Sequence, residues 1–140
     1  MPTTRGDGVR ALIIDDARAM RSILKRIVVP LGFEVHEATN GREALDHLIA
    51  ADEVPDLALV DWNMPEMNGY DFIKAVRADR RWRNMSIMMV TTESENHQVV
   101  RALAAGAHEY VIKPFPPVAI IEKLVLLGLV PSEAAATAAA

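Results

Sequence analysis

The sequence predicts an α/β protein built on one doubly wound, five-stranded parallel sheet with five helices. Three observations lead there. Apolar runs of strand length alternate five times with amphipathic stretches at helical spacing. The runs Val9–Ile14, Leu57–Val60 and Ser86–Val90 are apolar, as strands covered on both faces must be. Polar residues able to do chemistry stand directly after the runs. Right-handed crossovers leave few topologies. The strand order 2-1-3-4-5 is taken from precedent among doubly wound sheets.

Each element has its own signal. Val9–Ile14 stops abruptly at Asp15 and Asp16. From Ala17 to Val29, the residues Met20, Ile23, Leu24 and Ile27 recur at helical spacing, and Pro30 and Gly32 end that helix. Phe33–Ala38 alternates as a second strand. Asn40-Gly41 opens a helix carrying Ala44, Leu45, Leu48 and Ile49, broken at Pro55-Asp56. Leu57–Val60 is a third strand ending at Asp61. Asn63–Asn68 is a loop with Met-Pro and Asn-Gly signals. Tyr70–Ala78 is a helix with Phe72, Ile73 and Val76 as its stripe. Ser86–Val90 is the fourth strand, ending at Thr91-Thr92. Val99, Val100, Leu103 and Ala104 mark a fourth helix, stopped by Gly106. Glu109–Ile112 is the fifth strand, followed by Lys113-Pro114. Val118–Leu127 is the last helix, with Pro116 and Pro117 at its first turn, where backbone N–H groups lack helical partners.

Composition narrows the class. At 140 residues, 51% hydrophobic and 24% charged, the chain suits one domain with a real core. A net charge of −4 argues against a general nucleic-acid binder, which needs a positive field to meet phosphates. Without cysteine, disulfides and thiolate metal sites are excluded. Residues 1–8 are polar and are expected to be a flexible start, lacking the apolar core of a signal peptide. Residues 9–129 form the domain. Residues 130–140 are mostly Ala, with little apolar surface, and read as a frayed tail.

In a doubly wound sheet, ligands sit beyond the carboxyl ends of the strands, where strand order reverses. Here those ends carry Asp15, Asp16, Asp61, Thr91 and Lys113. Converging carboxylates repel by roughly 4 kcal/mol per pair at about 4 Å and an effective dielectric of 20. A cation relieves that repulsion. Oxygen ligands without His or Cys favour a hard ion, and few carboxylates with room for water and phosphate favour Mg²⁺. Lys113 and the Thr91 hydroxyl add a positive charge and a donor. Cation, ammonium and hydroxyl together suit a transferring phosphoryl group, whose charge is spread over three oxygens. Asp61 ends the central strand and is placed as the nucleophile, since carboxylates can form aspartyl-phosphate.

These residues resemble the receiver domains of bacterial response regulators, most closely the single-domain chemotaxis type. The matching motifs are Ile14-Asp15-Asp16, Val60-Asp61-Trp62-Asn63-Met64-Pro65 with Gly69 after it, Val90-Thr91-Thr92-Glu93, and Tyr110-Val111-Ile112-Lys113-Pro114-Phe115. Any one motif is weak; all of them in order, at the right strand ends, are specific. The resemblance runs from about Val9 to Leu129 and implies the flavodoxin-like receiver fold. The chemotaxis response regulator is itself a standard example of the 2-1-3-4-5 order, so that order is precedent and not derivation.

The resemblance implies a role for each residue. Asp61 is the phosphoacceptor. Asp16 and Asp61 ligate Mg²⁺ by side chain, Asn63 by its backbone carbonyl, and Asp15 through water. Thr91 bonds one phosphoryl oxygen and Lys113 pairs with another. Tyr110 is the aromatic switch residue, and Lys113-Pro114 carries a cis peptide. A histidine kinase is the donor. With only a tail after Leu129, output is expected by protein contact, on a flagellar motor switch component or another phosphorelay protein. The resemblance further implies a cytoplasmic monomer, with dimerisation open through the last helix, which reads unusually apolar. Shuttle or kinase-feedback roles are the alternatives. A magnesium-dependent phosphatase is disfavoured, because Asn63 stands where such enzymes carry their second acid. The chain is thus expected to be a phosphoacceptor with slow self-dephosphorylation, not a multiple-turnover enzyme.

Two features invite other readings. Arg77, Arg80, Arg81 and Arg83 surround Trp82 as a basic aromatic patch; a solvated helix end accounts for them better than base stacking. His36, His47, His97 and His108 show no ligand spacing and read as surface residues.

Overall fold

The structure, a computed structural model, describes residues 8–139. Five strands, β1 (Val9–Ile14), β2 (Phe33–Ala38), β3 (Leu57–Val60), β4 (Ser86–Thr91) and β5 (Glu109–Ile112), form one sheet. Its order is β2-β1-β3-β4-β5 and every pairing is parallel. The helices are α1 (Arg18–Val28), α2 (Gly41–Ala50), α3 (Gly69–Arg77), α4 (Asn96–Ala105), α5 (Pro117–Leu126) and α6 (Glu133–Ala139). Short 3-10 turns cover Val29–Leu31 and Arg80–Trp82.

The side-chain period of two divides the interior into two cores. Leu12, Ile14, Ala58, Val60, Ile87 and Met89 face α2, α3 and α4. Ala11, Ile13, Leu57, Leu59, Met88 and Val90 face α1 and α5. All four residues of β3 are fully buried, which explains its unbroken apolar run. Asn40 caps α2, its Oδ1 accepting from Glu43 N–H at 2.8 Å; the Glu43 carboxylate in turn accepts from Thr39 N–H at 2.8 Å. Asn68 caps α3 through Asp71 N–H, also at 2.8 Å.

Several expectations change. Apart from Gly8, which is exposed, the flexible start expected at residues 1–8 lies outside the described residues. The Ala-rich tail is not frayed: a sixth helix, α6, follows the turn at Gly128 and seats Ala134 and Ala135 on the second core. It packs on α5, so the apolar surface expected to be open there is partly covered, although Leu126 remains 70% exposed. Arg77 is not a solvated helix-end residue. Its guanidinium donates to the carbonyls of Gly106, Trp82, Arg83 and Met85, stitching α3 to the loops before β4 and β5. Trp82 is buried in the first core and offers no face for a base. Two of the four histidines meet in space: the His36 and His47 rings lie 4.7 Å apart.

Candidate functional site

The carboxyl ends of β1 and β3 are neighbours, with Ile14 beside Val60. Order reverses here, because β2 adds on one side of β1 while β3 adds on the other. Asp61 N–H donates to Ile14 O at 3.0 Å, and Asp15 N–H to Ala38 O at 3.1 Å. Both carboxylates are thereby anchored by the sheet just where it ends. Asp15 is buried, Asp61 nearly so at 9% exposure, and Asp16 is exposed. One oxygen from each of Asp15, Asp16 and Asp61 lies within 4.8 Å of the others.

Lys113 closes the cluster from β5. Its Nζ lies 2.8 Å from Asp15 Oδ2 and 3.3 Å from Asp61 Oδ2. The Lys113-Pro114 peptide is cis. Lys113 N–H donates to Thr91 O at 2.9 Å, which locks the β4 and β5 ends together. The remaining oxygens are held by backbone. Asp15 Oδ1 accepts from Ala17 N–H at 2.9 Å, and Asp61 Oδ1 from Trp62 N–H at 2.8 Å.

Charge supplies the test of fit for a cation. Three carboxylates face one ammonium, so the cluster carries an uncompensated negative charge in a partly desolvated place. Its donors are all oxygen, and the exposed Asp16 leaves room for water. That donor set matches a hard divalent ion.

Thr91 ends β4 fully buried, and its Oγ1 accepts from Glu93 N–H at a long 3.4 Å. Tyr110, half-buried on β5, donates its hydroxyl to Glu93 O at 2.6 Å. Burial first, then the charges of Glu93 and Asp61, push the Tyr110 phenol up to about 12. Asn63 is exposed, and its side-chain amide donates to Glu93 Oε2 at 2.7 Å.

Three residues here carried no separate role in the sequence. Glu93 is a hub: Asn63 and Gln98 each donate a 2.7 Å bond to its carboxylate, and Tyr110 bonds its carbonyl. Its only signal was its place in the Val90-Thr91-Thr92-Glu93 motif. Gln98 had none. It lies on α4, and its Oε1 is buried without a partner among the described residues. Gly69 was visible as the end of an Asn-Gly turn and as the glycine after the Asp61 motif, neither of which gave it a role. A Cβ there would stand 2.0 Å from Asp61 O.

Trp62, beside Asp61, is 7% exposed and stacks on Tyr70 with centroids 5.4 Å apart and planes 3° from parallel. Arg101 of α4 lies 4.5 Å from the Tyr70 centroid. An aromatic path therefore joins the Asp61 loop to α4.

Known proteins are similar to this chain in sequence and fold. The response regulator receiver domain family matches residues 11–125. Chemotaxis protein CheY1 of Helicobacter pylori is 46% identical over 122 residues, covering 86% of this chain and 98% of that protein. A chemotaxis protein CheY homolog of Campylobacter jejuni is 44% identical over 83% of this chain and 89% of its own length. Among solved structures, Vibrio cholerae CheY4 superposes with a TM-score of 0.78 at 32% identity, covering 86% of this chain and 98% of that one. Among the described residues, no helix is long and apolar enough to cross a membrane.

Proposed function

The chain belongs to the response regulator receiver family, and from that premise we propose that it takes a phosphoryl group from a histidine kinase on Asp61 and signals by protein contact. The observation that carries this is the meeting of Asp15, Asp16, Asp61 and Lys113 at the point where strand order reverses. The carboxylate of Asp61 attacks phosphorus. The bond from phosphorus to the kinase imidazole nitrogen breaks as the bond to the Asp61 oxygen forms, and the electron pair stays on the imidazole. Asp15, Asp16 and Asp61, with the backbone carbonyl of Asn63, would hold Mg²⁺, which supplies charge neutralisation for the transferring group.

This chain's residues do the rest. Trp62 N–H fixes one oxygen of Asp61, which orients the carboxylate. Lys113, already 3.3 Å from Asp61, turns from carboxylate to phosphoryl oxygen. Thr91 lies one strand away with a weakly held hydroxyl and reaches for another oxygen. Its movement alters the Glu93 carbonyl, on which Tyr110 hangs, and so the packing of β5. Val100 and Leu103 on α4 and Ile112 on β5 are exposed at 63%, 44% and 44%, apolar side chains available to a partner. The names of the relatives, chemotaxis proteins, support a partner of that kind, with a flagellar motor switch component as the proposed target.

Incubation with Mg²⁺ and a small acyl phosphate tests the reading. The expected outcome is a mass increase of one phosphoryl group, a change in Trp62 emission, and loss of both in Asp61→Asn. Sustained turnover of a phosphate monoester, or a mass increase that Asp61→Asn keeps, would overturn it.

A further inference from the structure

The four histidines show no ligand spacing along the chain, yet the fold pairs two of them. His36 stands on β2, an edge strand, and His47 on α2, which packs over that face. Their ring centroids are 4.7 Å apart and the planes are tilted by 39°. Both rings line a hollow of about 380 Å³ that also exposes Arg10, Glu34, Asp52 and Glu53. It opens toward the amino-terminal ends of the strands, away from the Asp61 cluster. Glu34 and His36 are two positions apart on β2 and so share a face.

We propose that His36 and His47 form a binding site for a divalent transition metal of borderline softness, Zn²⁺ being the reference case. Two imidazoles are the donors such ions prefer and Mg²⁺ does not. The site therefore differs in kind from the all-oxygen cluster at Asp61. His36 is exposed, so its ring can turn toward a shared ion without disturbing the core. His47 is half-buried, and burial, then the neighbouring His36, lowers its pKa. Arg10 pairs with Glu34 and Glu53, and among the described residues no carboxylate stands within reach of both imidazoles, so the two rings are the protein ligands and water completes the shell. There is no cysteine to compete for the ion. A bound ion ties the sheet's edge strand to α2 and so stabilises the fold by mass action.

The test is calorimetric titration of the full chain with Zn²⁺ at neutral pH, with Mg²⁺ present in excess to occupy the carboxylate cluster. One saturable site in the micromolar range is expected. It should weaken at least about tenfold in His36→Gln and in His47→Gln, since even outer-shell partners of a metal are worth 10–100-fold. Asp61→Asn should leave it unchanged. Ring resonances of His36 and His47 in the unmutated protein should shift together on adding Zn²⁺, which decides the matter even where a variant misfolds. No saturable binding, binding kept by both histidine variants, or shifts confined to His97 and His108 would each overturn the proposal.

Discussion

Gly69 shows how little room the loop after Asp61 leaves at the scale of one residue. It begins α3 directly beneath Asp61, and its N–H donates to Trp62 O at 2.8 Å. An added Cβ would meet Asp61 O at 2.0 Å and Val60 Cγ1 at 2.9 Å, so backbone must move. Gly69→Ala is expected to destabilise by about 1–3 kcal/mol, as overpacking does, read as a lower urea midpoint. Because the displaced atoms belong to Asp61, phosphoryl uptake should slow as well. His108 gives a second residue-scale prediction. Its Nδ1 accepts from Ile87 N–H at 3.1 Å, which requires the unprotonated nitrogen. Burial, then the charge of Arg77, lowers its pKa below the usual 6.5. The folded state then binds fewer protons than the unfolded one. Its stabilising contribution is complete above about pH 6.5 and is lost as pH falls through the lower folded value. Urea midpoints measured downward from pH 7 should therefore fall less steeply in His108→Gln than in the parent; equal slopes would remove the linkage.

Between elements, Arg77 does what no sequence period announces. A single planar guanidinium meets carbonyls from the Arg80–Trp82 turn, from the approach to β4, and from Gly106 at the end of α4. Arg77→Ala leaves these carbonyls short of donors and is expected to cost about 2–4 kcal/mol in urea unfolding. Arg77→Lys should recover little, because an ammonium cannot reproduce the fork. Full recovery by lysine would make charge, not geometry, the cause. What was legible in the sequence follows the same division. The strands were legible because burial on both faces leaves apolar runs with sharp ends, and the meeting of Asp15, Asp16, Asp61 and Lys113 because these polar residues stand at those ends. Arg77, the His36–His47 pair and the Glu93–Gln98 bond join residues from different elements, and no local pattern records such a meeting. Helix α6 was missed for another reason. An all-Ala face has no amphipathic contrast, and α6 docks only because the chain turns at Gly128 and brings Ala134 and Ala135 onto a core that other elements built.

Across the whole molecule, the site is a balance of charge held by the far ends of three strands. Asp15 follows β1, Asp61 follows β3 and Lys113 follows β5, so sheet order alone brings together residues up to 98 positions apart. The ammonium of Lys113 sits against the same carboxylates that a divalent cation would take, at 2.8 and 3.3 Å. Its charge would therefore compete with a cation for those oxygens, and under the proposed transfer it would serve the phosphoryl group instead. These roles predict opposite effects of one substitution. Lys113→Met keeps most of the apolar stem and removes the charge. A unit charge about 4 Å away is worth roughly 4 kcal/mol at an effective dielectric of 20 before screening. Only part of that survives in a site open to water through Asp16, so Mg²⁺ should bind at least about tenfold more tightly. Phosphoryl uptake should nevertheless become slower, and the signal reaching Tyr110 weaker, because nothing pairs with the new charge. Trp62 reports both, being buried beside Asp61 and stacked on Tyr70, with Arg101 of α4 over the same ring. Titration of its emission with Mg²⁺ gives the first quantity, and its response to a small acyl phosphate gives the second. If Lys113→Met weakened Mg²⁺ binding, the lysine would be organising the carboxylates and not competing for them. The charge balance drawn from the strand ends would then be wrong.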